Sequence, residues 1–365
     1  MRTSLPVSTG SRKKPLKAVS RSKNGDSVSL KQLAAHLGLS TTTLSLVLND
    51  APSAVSIPQE TKNRIFTAAK ELNYRPNYLA RSLRVKRTHT FGVLVPELSD
   101  GYSAMVLNGV EAVLSKENFF YLTASHLHRD DLLETLPGML VERQVEGLIV
   151  VDTPIRFGMN LPVVSVSGHD EIEGVTNVIL NHQHAAELGM GHLFTLGHRQ
   201  IAVIKGQDFS SDTAVRWETI SLAASKRGIK LAPSLIAQLE GDIPSPEIGY
   251  IAAQKLLSNK KPFTALFAFN DISAIGAIRA LQESGLRVPE DVSVLGFDDI
   301  YAAEFHNPAL TTIRQPLFEM GSLAAQTLLK RLAGGTNGRD EIPQTLTVEP
   351  KLIVRNSTAR VAKKP

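Results

Sequence analysis

The feature that most restricts the fold is a regular alternation beginning at Phe91, where short apolar segments are separated by amphipathic segments at helical spacing. Strands covered on both faces form nearly continuous apolar runs, and parallel strands need long, usually helical, connections. The predicted strands are 91–96, 119–124, 147–151, 162–166, 177–180, 201–204, 265–269 and 292–297, with helices around 104–114, 131–142, 184–196, 213–226 and 272–283. These strands are too many for one ordinary sheet, so we expect two similar α/β lobes with parallel sheets.

Polar residues collect where these predicted strands end. In open parallel sheets, ligands bind at the carboxyl ends of the strands, so these residues are candidates for a binding site. They are the segments 99–103 and 209–212, together with Ser167, Asn270, Asp271, Asp298 and Asp299.

A different pattern precedes the alternation, because residues 29–49 have the form of two short helices around a tight turn. Ser29 and Gln32 have the spacing of a capping box, and Gly38 can adopt the left-handed conformation that ends a helix. Ser40 is a suitable N-cap for the second helix.

The second of these helices has two distinct faces. Helical spacing turns three apolar residues inward, namely Leu44, Val47 and Leu48, and it turns five residues outward, namely Thr41, Thr42, Ser45, Leu46 and Asn49. Small polar residues at the exposed start of a second helix suit the floor of a DNA major groove. An ordinary helical hairpin with a solvated face is the alternative.

The distribution of charge favours nucleic acid as a partner. Residues 1–90 carry 16 Lys and Arg against 4 Asp and Glu, whereas the rest of the chain carries 24 against 31. A basic tail contributes to this excess, but residues 29–90 alone still hold nine basic residues against three acidic ones. We therefore expect a polyanion to bind the N-terminal quarter of the chain.

Several classes of protein are excluded by composition. The chain has no cysteine, so disulfides and thiolate metal sites are impossible. No apolar run has the length of a membrane span, and the basic N-terminus lacks the apolar region of a secretory signal. We expect a cytoplasmic protein that has no membrane partner and no cofactor.

Residues 74–87 form a basic segment between the two patterns, YRPNYLARSLRVKR. A helix this short has only marginal stability by itself, so the segment could become helical when it binds DNA. The alternative is a linker without a regular structure.

Many motifs in this order resemble the lactose-repressor (LacI/GalR-type) family of bacterial transcription regulators over residues 28–359. Those motifs are the opening helix pair, YRPNYLARSLR, FGVLVPELSDGYSAMVLNGVE, LGHRQIAVIKG, FNDISAIGAIRALQESGLRVPEDVSVLGFDD, LTTIRQP and VRNST. The resemblance implies a helix-turn-helix domain with a hinge helix, followed by a core like that of periplasmic sugar-binding proteins. It also implies a homodimer that binds a roughly palindromic double-stranded DNA operator.

The resemblance also implies roles for individual residues toward DNA. Thr41 and Thr42 match base-reading positions, Ser45 matches a position that contacts the DNA backbone, and Leu83 matches a leucine that wedges into the minor groove. The implied DNA-binding set is Ser29, Ser40, Thr41, Thr42, Thr43, Ser45, Leu46, Asn49, Asn77, Ala80, Arg81, Leu83 and Arg84. Leu46 departs from the family, which usually has an arginine there that can read guanine, so we expect no guanine preference at that position.

In the core, Arg216, Asn270 and Asp298 match the most recurrent effector-binding positions of the family. Positions that vary with the ligand are matched by Tyr102, Ser103, Ser167, Asp212 and Gln315. A guanidinium and a carboxylate at a cleft can hold sugar hydroxyls, so we expect a sugar-like effector. The alternative for Arg216 is a purely structural ion pair with an acid.

The resemblance leads to these expected boundaries: a disordered basic tail at 1–28, the DNA-binding domain at 29–76, a hinge helix and linker at 77–90, the core at 91–355 and a disordered tail at 356–365. We expect an N-lobe at 91–180 and 315–344, and a C-lobe at 181–314 and 345–355. Closing the lobes around an effector would change the spacing of the two hinges, although the sequence does not determine whether this weakens or strengthens DNA binding.

Two other classes of function are disfavoured by the sequence. An enzyme is disfavoured because the chain has no phosphate-binding glycine motif and no nucleophile elbow. The densest histidine group comprises His182, His184, His192 and His198, and we expect packing or surface roles rather than metal binding. A transport-type sugar-binding protein is disfavoured by the basic N-terminal domain.

Overall fold

The computed structural model describes residues 28–49, 51–75, 82, 87–99, 101–156, 160–241, 245–334 and 342–361. Contacts divide the chain into two compact units, one ending at Arg87 and the other beginning at Thr88. Five predicted DNA-binding positions lie outside the described residues, namely Asn77, Ala80, Arg81, Leu83 and Arg84, and so do residues 1–27 of the tail predicted at 1–28.

The first unit is helical, as predicted. Its elements are α1 (Leu30–Leu37), α2 (Thr41–Leu48), a 3₁₀ helix (Pro52–Ser56) and α3 (Gln59–Glu71). Its core contains Leu33, Ala34, Leu44, Val47, Ile65 and Ala68.

The predicted caps of α1 and α2 are confirmed. Ser29 and Gln32 form the reciprocal capping box, and the Ser40 hydroxyl accepts a hydrogen bond from the Thr43 backbone N–H at 3.0 Å. Gly38 has a φ of 68°, a conformation that favours glycine, so α1 ends there. Local sequence alone therefore sets the turn between α1 and α2.

The second unit contains two six-stranded sheets, which confirms the predicted pair of α/β lobes. The N-lobe sheet has the order β11-β5-β4-β3-β1-β2 and is parallel throughout. Its strands are β1 (Thr90–Val95), β2 (Phe120–Ser125), β3 (Leu148–Val151), β4 (Val163–Val166), β5 (Val175–Leu180) and β11 (Thr345–Val348). Its helices are α4 (Tyr102–Leu114), α5 (Asp130–Glu142) and α11 (Leu317–Gly334).

The C-lobe sheet has the order β12-β10-β9-β8-β6-β7, in which only the β10–β12 pair is antiparallel. Its strands are β6 (Ile201–Lys205), β7 (Ile236–Gln238), β8 (Ala265–Ala268), β9 (Ser293–Asp298), β10 (Thr311–Arg314) and β12 (Lys351–Ile353). Its helices are α6 (His182–Thr195), α7 (Ser211–Lys226), α8 (Pro246–Ser258), α9 (Asp271–Glu283) and α10 (Tyr301–Phe305), and a 3₁₀ helix spans Pro233–Leu235.

Two predicted boundaries are wrong. The sequence predicts residues 345–355 in the C-lobe, but residues 345–348 form β11, which pairs with β5 in the N-lobe sheet. The chain therefore returns to the C-lobe after Val348 and enters β12 at Lys351. The error arises because strand pairing depends on residues far apart in sequence, which local patterns do not reveal.

The predicted disordered tail at 356–365 is also wrong for its first residues. Ser357 is fully buried and its hydroxyl donates to the Val294 carbonyl at 2.6 Å. The Ala359 backbone N–H donates to the Ser293 hydroxyl at 3.0 Å. Ser357 and Ala359 are thus held against β9, and the Val361 backbone N–H donates to the Leu196 carbonyl at 2.9 Å, so the C-lobe satisfies polar groups of this segment.

Candidate functional site

The start of α2 presents small polar side chains to solvent. Thr41 and Thr42 are exposed and Thr43 is half-buried, while the Ser40 cap holds the first turn in place. The orientation of Thr41 and Thr42 is therefore as predicted. Leu46 and Asn49 are half-buried rather than fully outward.

The predicted outward orientation of Ser45 is wrong, because this side chain is 9% exposed. Ser45 follows the core residue Leu44, about 100° around the helix, at the edge of the buried face. The Asn49 side-chain amide donates to the Ser45 carbonyl at 2.7 Å and to its hydroxyl at 3.2 Å. Ser45 and Asn49 thus help to end α2.

The second unit has a cleft between its lobes, at the carboxyl ends of the strands, with a volume of about 480 Å³ including its open mouth. Its walls contain Pro96, Glu97, Tyr102, Ser103, His128, Asp152, Gln207, Phe209, Ser210, Asp212, Arg216, Phe269, Asn270 and Asp298. Ligand sites in such sheets form at this end.

The cleft brings together all eight of the predicted effector-binding residues. Six of them belong to its walls, and the other two are hydrogen-bonded to wall residues. The Tyr102 and Ser167 hydroxyls are 2.6 Å apart, and the Gln315 amide donates to Asp298 Oδ1 at 2.7 Å. Proximity supports the predicted set, whereas ligand contact by each residue stays a prediction.

Four polar wall residues were missed by sequence reasoning, namely Glu97, His128, Asp152 and Gln207. Each comes one to three residues after a strand, so the carboxyl-end rule could have found them. Asp152 has a φ of 39°, and Ser167 and Asp298 have φ values of 59° and 109°. Positive φ in non-glycine residues is strained and is frequent at binding sites.

Arg216 is the permanent cation of the cleft, and it is buried. Its Nη2 donates to Asp212 Oδ2 at 2.5 Å, its Nη1 donates to the Phe269 carbonyl at 2.8 Å, and Asp298 Oδ1 lies 3.8 Å from Nη1. The guanidinium also lies 4.0 Å from the centroid of the Phe297 ring. The structural ion pair that is the alternative to effector contact therefore exists between Arg216 and Asp212, and it lies inside the cleft.

Asp212 is the most heavily paired acid of the cleft. Burial alone would raise its pKa, but His182, Arg216 and a hydrogen bond from His169 outweigh burial and hold the pKa well below its usual value. A carboxylate that attracts so many donors stays ionised.

Side chains of the N-lobe contact the start of α7 across the cleft. Asp152 accepts hydrogen bonds from the Ser210 hydroxyl at 3.0 Å, the Ser211 backbone N–H at 3.0 Å and the Ser211 hydroxyl at 2.7 Å. Burial and the neighbouring Asp212 raise the pKa of Asp152, and the serine hydrogen bonds oppose that rise. The His128 ring stacks on Phe209 with centroids 3.8 Å apart. The two lobes are therefore closed on each other.

The predicted histidine group is dispersed. His192 is 2.9 Å from the Thr358 hydroxyl, His198 contacts Thr264 and Ala359, and the exposed His184 pairs with Glu349. Those three histidines therefore have packing or surface roles, as expected. His182 instead lies beside His169 and Asp212, and this trio is the one group among the described residues whose donor atoms could hold a metal ion.

Comparisons with known proteins match both units of the chain to bacterial transcription regulators and their relatives. Residues 29–77 match the model described as bacterial regulatory proteins, lacI family, and residues 190–358 match a periplasmic binding protein-like domain. The HTH-type transcriptional repressor PurR of Yersinia enterocolitica is 36% identical over 340 residues, which is 90% of this chain and 96% of the relative. The PurR repressor of Haemophilus influenzae is 32% identical, over 91% of this chain and 99% of the relative.

Solved structures with similar folds include a Lac repressor dimer bound to operator and the anti-inducer ONPF. That structure has a TM-score of 0.80 and 26% identity, over 92% of this chain and all of that one. A complex of the transcriptional regulator CelR with cellobiose has a TM-score of 0.66 and 28% identity, over 90% of this chain and 99% of that one. No helix among the described residues is long and apolar enough to cross a bilayer.

Proposed function

Because this chain belongs to the LacI family of bacterial transcriptional repressors, we propose that residues 29–75 read an operator and that the cleft of the second unit binds the controlling effector. The single observation that carries the second role is the cleft itself, which brings together eight polar residues from both lobes, Arg216 among them. A ligand bound there contacts both lobes, so it acts on their closure.

We propose that the exposed start of α2 enters the major groove, where Thr41 and Thr42 contact base edges. Leu46 is half-buried and offers only an apolar contact, such as one to a thymine methyl group. We propose a homodimer, in which paired hinge segments place Leu83 in the minor groove. A regulator that binds genomic DNA works in the cytoplasm, where we place this chain.

We propose an effector that is sugar-like and donates several hydrogen bonds. The cleft wall contains carboxylate acceptors such as Asp298, and Asn270, whose side-chain oxygen caps α9, adds amide N–H donors. Cellobiose is the ligand of the CelR structure that this fold resembles. Acceptors on the wall pair with hydroxyl donors on a ligand.

Binding of effector and operator is linked through lobe closure. An effector that favours one lobe arrangement changes operator affinity by the same factor by which operator changes effector affinity. If the effector-bound lobe arrangement holds the two hinges at the spacing that the operator requires, the effector is a corepressor. If the effector-free arrangement does so, the effector is an inducer.

The test combines selection of operators from random DNA with a thermal-shift screen of sugars and related metabolites. Each compound that stabilises the protein is then added to the operator-binding assay, where we expect a change in affinity. Arg216→Lys keeps the positive charge but removes the planar guanidinium with its paired N–H donors. The variant protein should therefore still bind operator but lose its response to the effector. Arg279→Lys, at an exposed pair with Glu283, is the matched control. Operator binding that survives deletion of residues 29–85 would overturn the assignment.

A further inference from the structure

Three side chains with metal-binding atoms converge beside the cleft. His169 lies in the loop after β4 of the N-lobe, His182 begins α6, and Asp212 is in the first turn of α7. The Nε2 atoms of His169 and His182 lie 2.7 and 3.2 Å from the same Oδ1 of Asp212. One donor atom from each residue lies within 4.8 Å of the other two.

The chemistry of this trio suits zinc. Imidazole nitrogen and carboxylate oxygen bind Zn²⁺ at about 2.0–2.2 Å, so tetrahedral ligands stand roughly 3.3 Å apart. The 3.2 Å between His182 Nε2 and Asp212 Oδ1 is already near that spacing, and the 2.7 Å from His169 Nε2 would have to lengthen by about 0.6 Å. The side chains of His182 and Asp212 are each 4% exposed and that of His169 is 18% exposed, so an ion there would be shielded from water on most sides.

The surroundings of Asp212 favour its use as a ligand. Arg216 donates to Oδ2 at 2.5 Å, which orients the carboxylate and leaves Oδ1 directed toward the two histidines. Hydrogen bonds of this kind to the distal oxygen are a regular part of metal sites. Asp212 also lies on the cleft wall, so an ion and a ligand could reach it from there.

The cleft wall also carries more acidic side chains than permanent cations, although Glu97 lies 3.0 Å from the His128 ring. The wall contains four carboxylates, from Glu97, Asp152, Asp212 and Asp298, but only one permanent cation, Arg216. Arg216 is already engaged by Asp212 and by the Phe269 carbonyl. Negative charge that is partly buried and in excess is stabilised by a bound cation.

We propose that His169, His182 and Asp212 bind one Zn²⁺ ion, with a fourth coordination position open toward the cleft. His169 belongs to the N-lobe and Asp212 to the C-lobe, so the ion joins the two lobes. Under the function proposed above, the ion acts as a second effector that stabilises the closed arrangement. The binding of the ion itself does not depend on that function.

The test uses the full chain without an affinity tag, after dialysis against a chelator that is then removed. Calorimetric titration with Zn²⁺ should give one ion per chain, and titration with Co²⁺ should give the visible absorption of a tetrahedral site. The chain has no cysteine, so a sulfur-to-cobalt band must be absent. His169→Ala should lower the Zn²⁺ affinity by more than about 100-fold, since loss of a ligand exceeds loss of an outer hydrogen bond.

His184→Ala is the matched control, because His184 is an exposed histidine paired with Glu349 outside the trio. That variant should bind Zn²⁺ as the natural chain does. Absence of stoichiometric binding would overturn the proposal, as would equal losses in the His169 and His184 variants. If His169→Ala fails to fold, His182→Gln provides the same comparison. Operator selection in the presence of chelator tests the proposed function separately.

Discussion

Asp212 connects the ion pair of the cleft to the contact between the lobes, so its replacement is the most informative perturbation. Asp212→Asn keeps the size of the side chain and removes its charge. The carboxylate accepts from Arg216 at 2.5 Å and from His169 at 2.7 Å, and His182 Nε2 lies 3.2 Å away. After the change, the buried guanidinium faces a neutral amide and keeps the Phe269 carbonyl, the Phe297 ring and a carboxylate 3.8 Å away.

The expected loss is large because one partner of a buried ion pair is removed. Such changes cost about 3–5 kcal/mol, since the remaining charge stays buried without compensation. The pKa of Asp212 is well below its usual value, which means that the folded protein favours the ionised form. The direction of this shift agrees with the predicted loss of stability when the charge is removed. A loss of about 3 kcal/mol lowers the melting temperature of a unit this large by roughly 6–12 °C.

The assay is urea unfolding at pH 7 in the presence of chelator, followed by both circular dichroism and tryptophan fluorescence. Asp131→Asn is the matched control, because Asp131 also lies in the first turn of a helix and pairs with an arginine, at 62% exposure. Exposed pairs contribute about 0–1 kcal/mol, so the control should change little. Equal effects of the two substitutions would refute the reasoning about burial.

Four further predictions concern other parts of the chain. Leu46→Arg should create a guanine preference at one operator position, detected by selection from random DNA, and an unchanged site would show that residue 46 does not reach the bases. Leu83→Ala should weaken binding to the selected operator and leave salt-sensitive non-specific binding intact, whereas equal loss of both would count against a wedge. Burial and the neighbouring Asp299 raise the pKa of Asp271 from 3.8 to about 7, although hydrogen bonds from Thr312 and Ile300 oppose the rise, so stability that is present at low pH is lost as pH rises through 7. The natural chain should therefore be about 1 kcal/mol less stable at pH 8 than at pH 6, and an equal difference in Asp271→Asn would assign the effect to another group. A Cβ on Gly109 would lie 2.0 Å from a backbone oxygen of α11, so Gly109→Ala should lower the free energy of unfolding by about 3 kcal/mol. Gly138 has open space around it, so Gly138→Ala is the control and should lower it by nothing. Similar melting temperatures of the two variants would contradict the packing argument.

Local sequence determined the elements and the type of fold. The caps at Ser29 and Ser40 and the left-handed Gly38 depend on neighbours within a few residues, so they could be predicted directly. The alternation of apolar strands with helices likewise predicted two parallel-sheet lobes. The strand ends likewise predict Asn270 and Asp298 at a ligand site, because both follow apolar strands directly.

Tertiary structure alone decided which distant residues meet. Pairing with β5 placed residues 345–348 in the N-lobe, and contacts with β9 ordered the segment around Ser357. The position of Asp152 against the start of α7 and the trio of His169, His182 and Asp212 also join segments far apart in sequence. The physical reason is that periodicity and capping act within a few residues, whereas ion pairs, sheet order and closed lobes depend on the global packing of the chain.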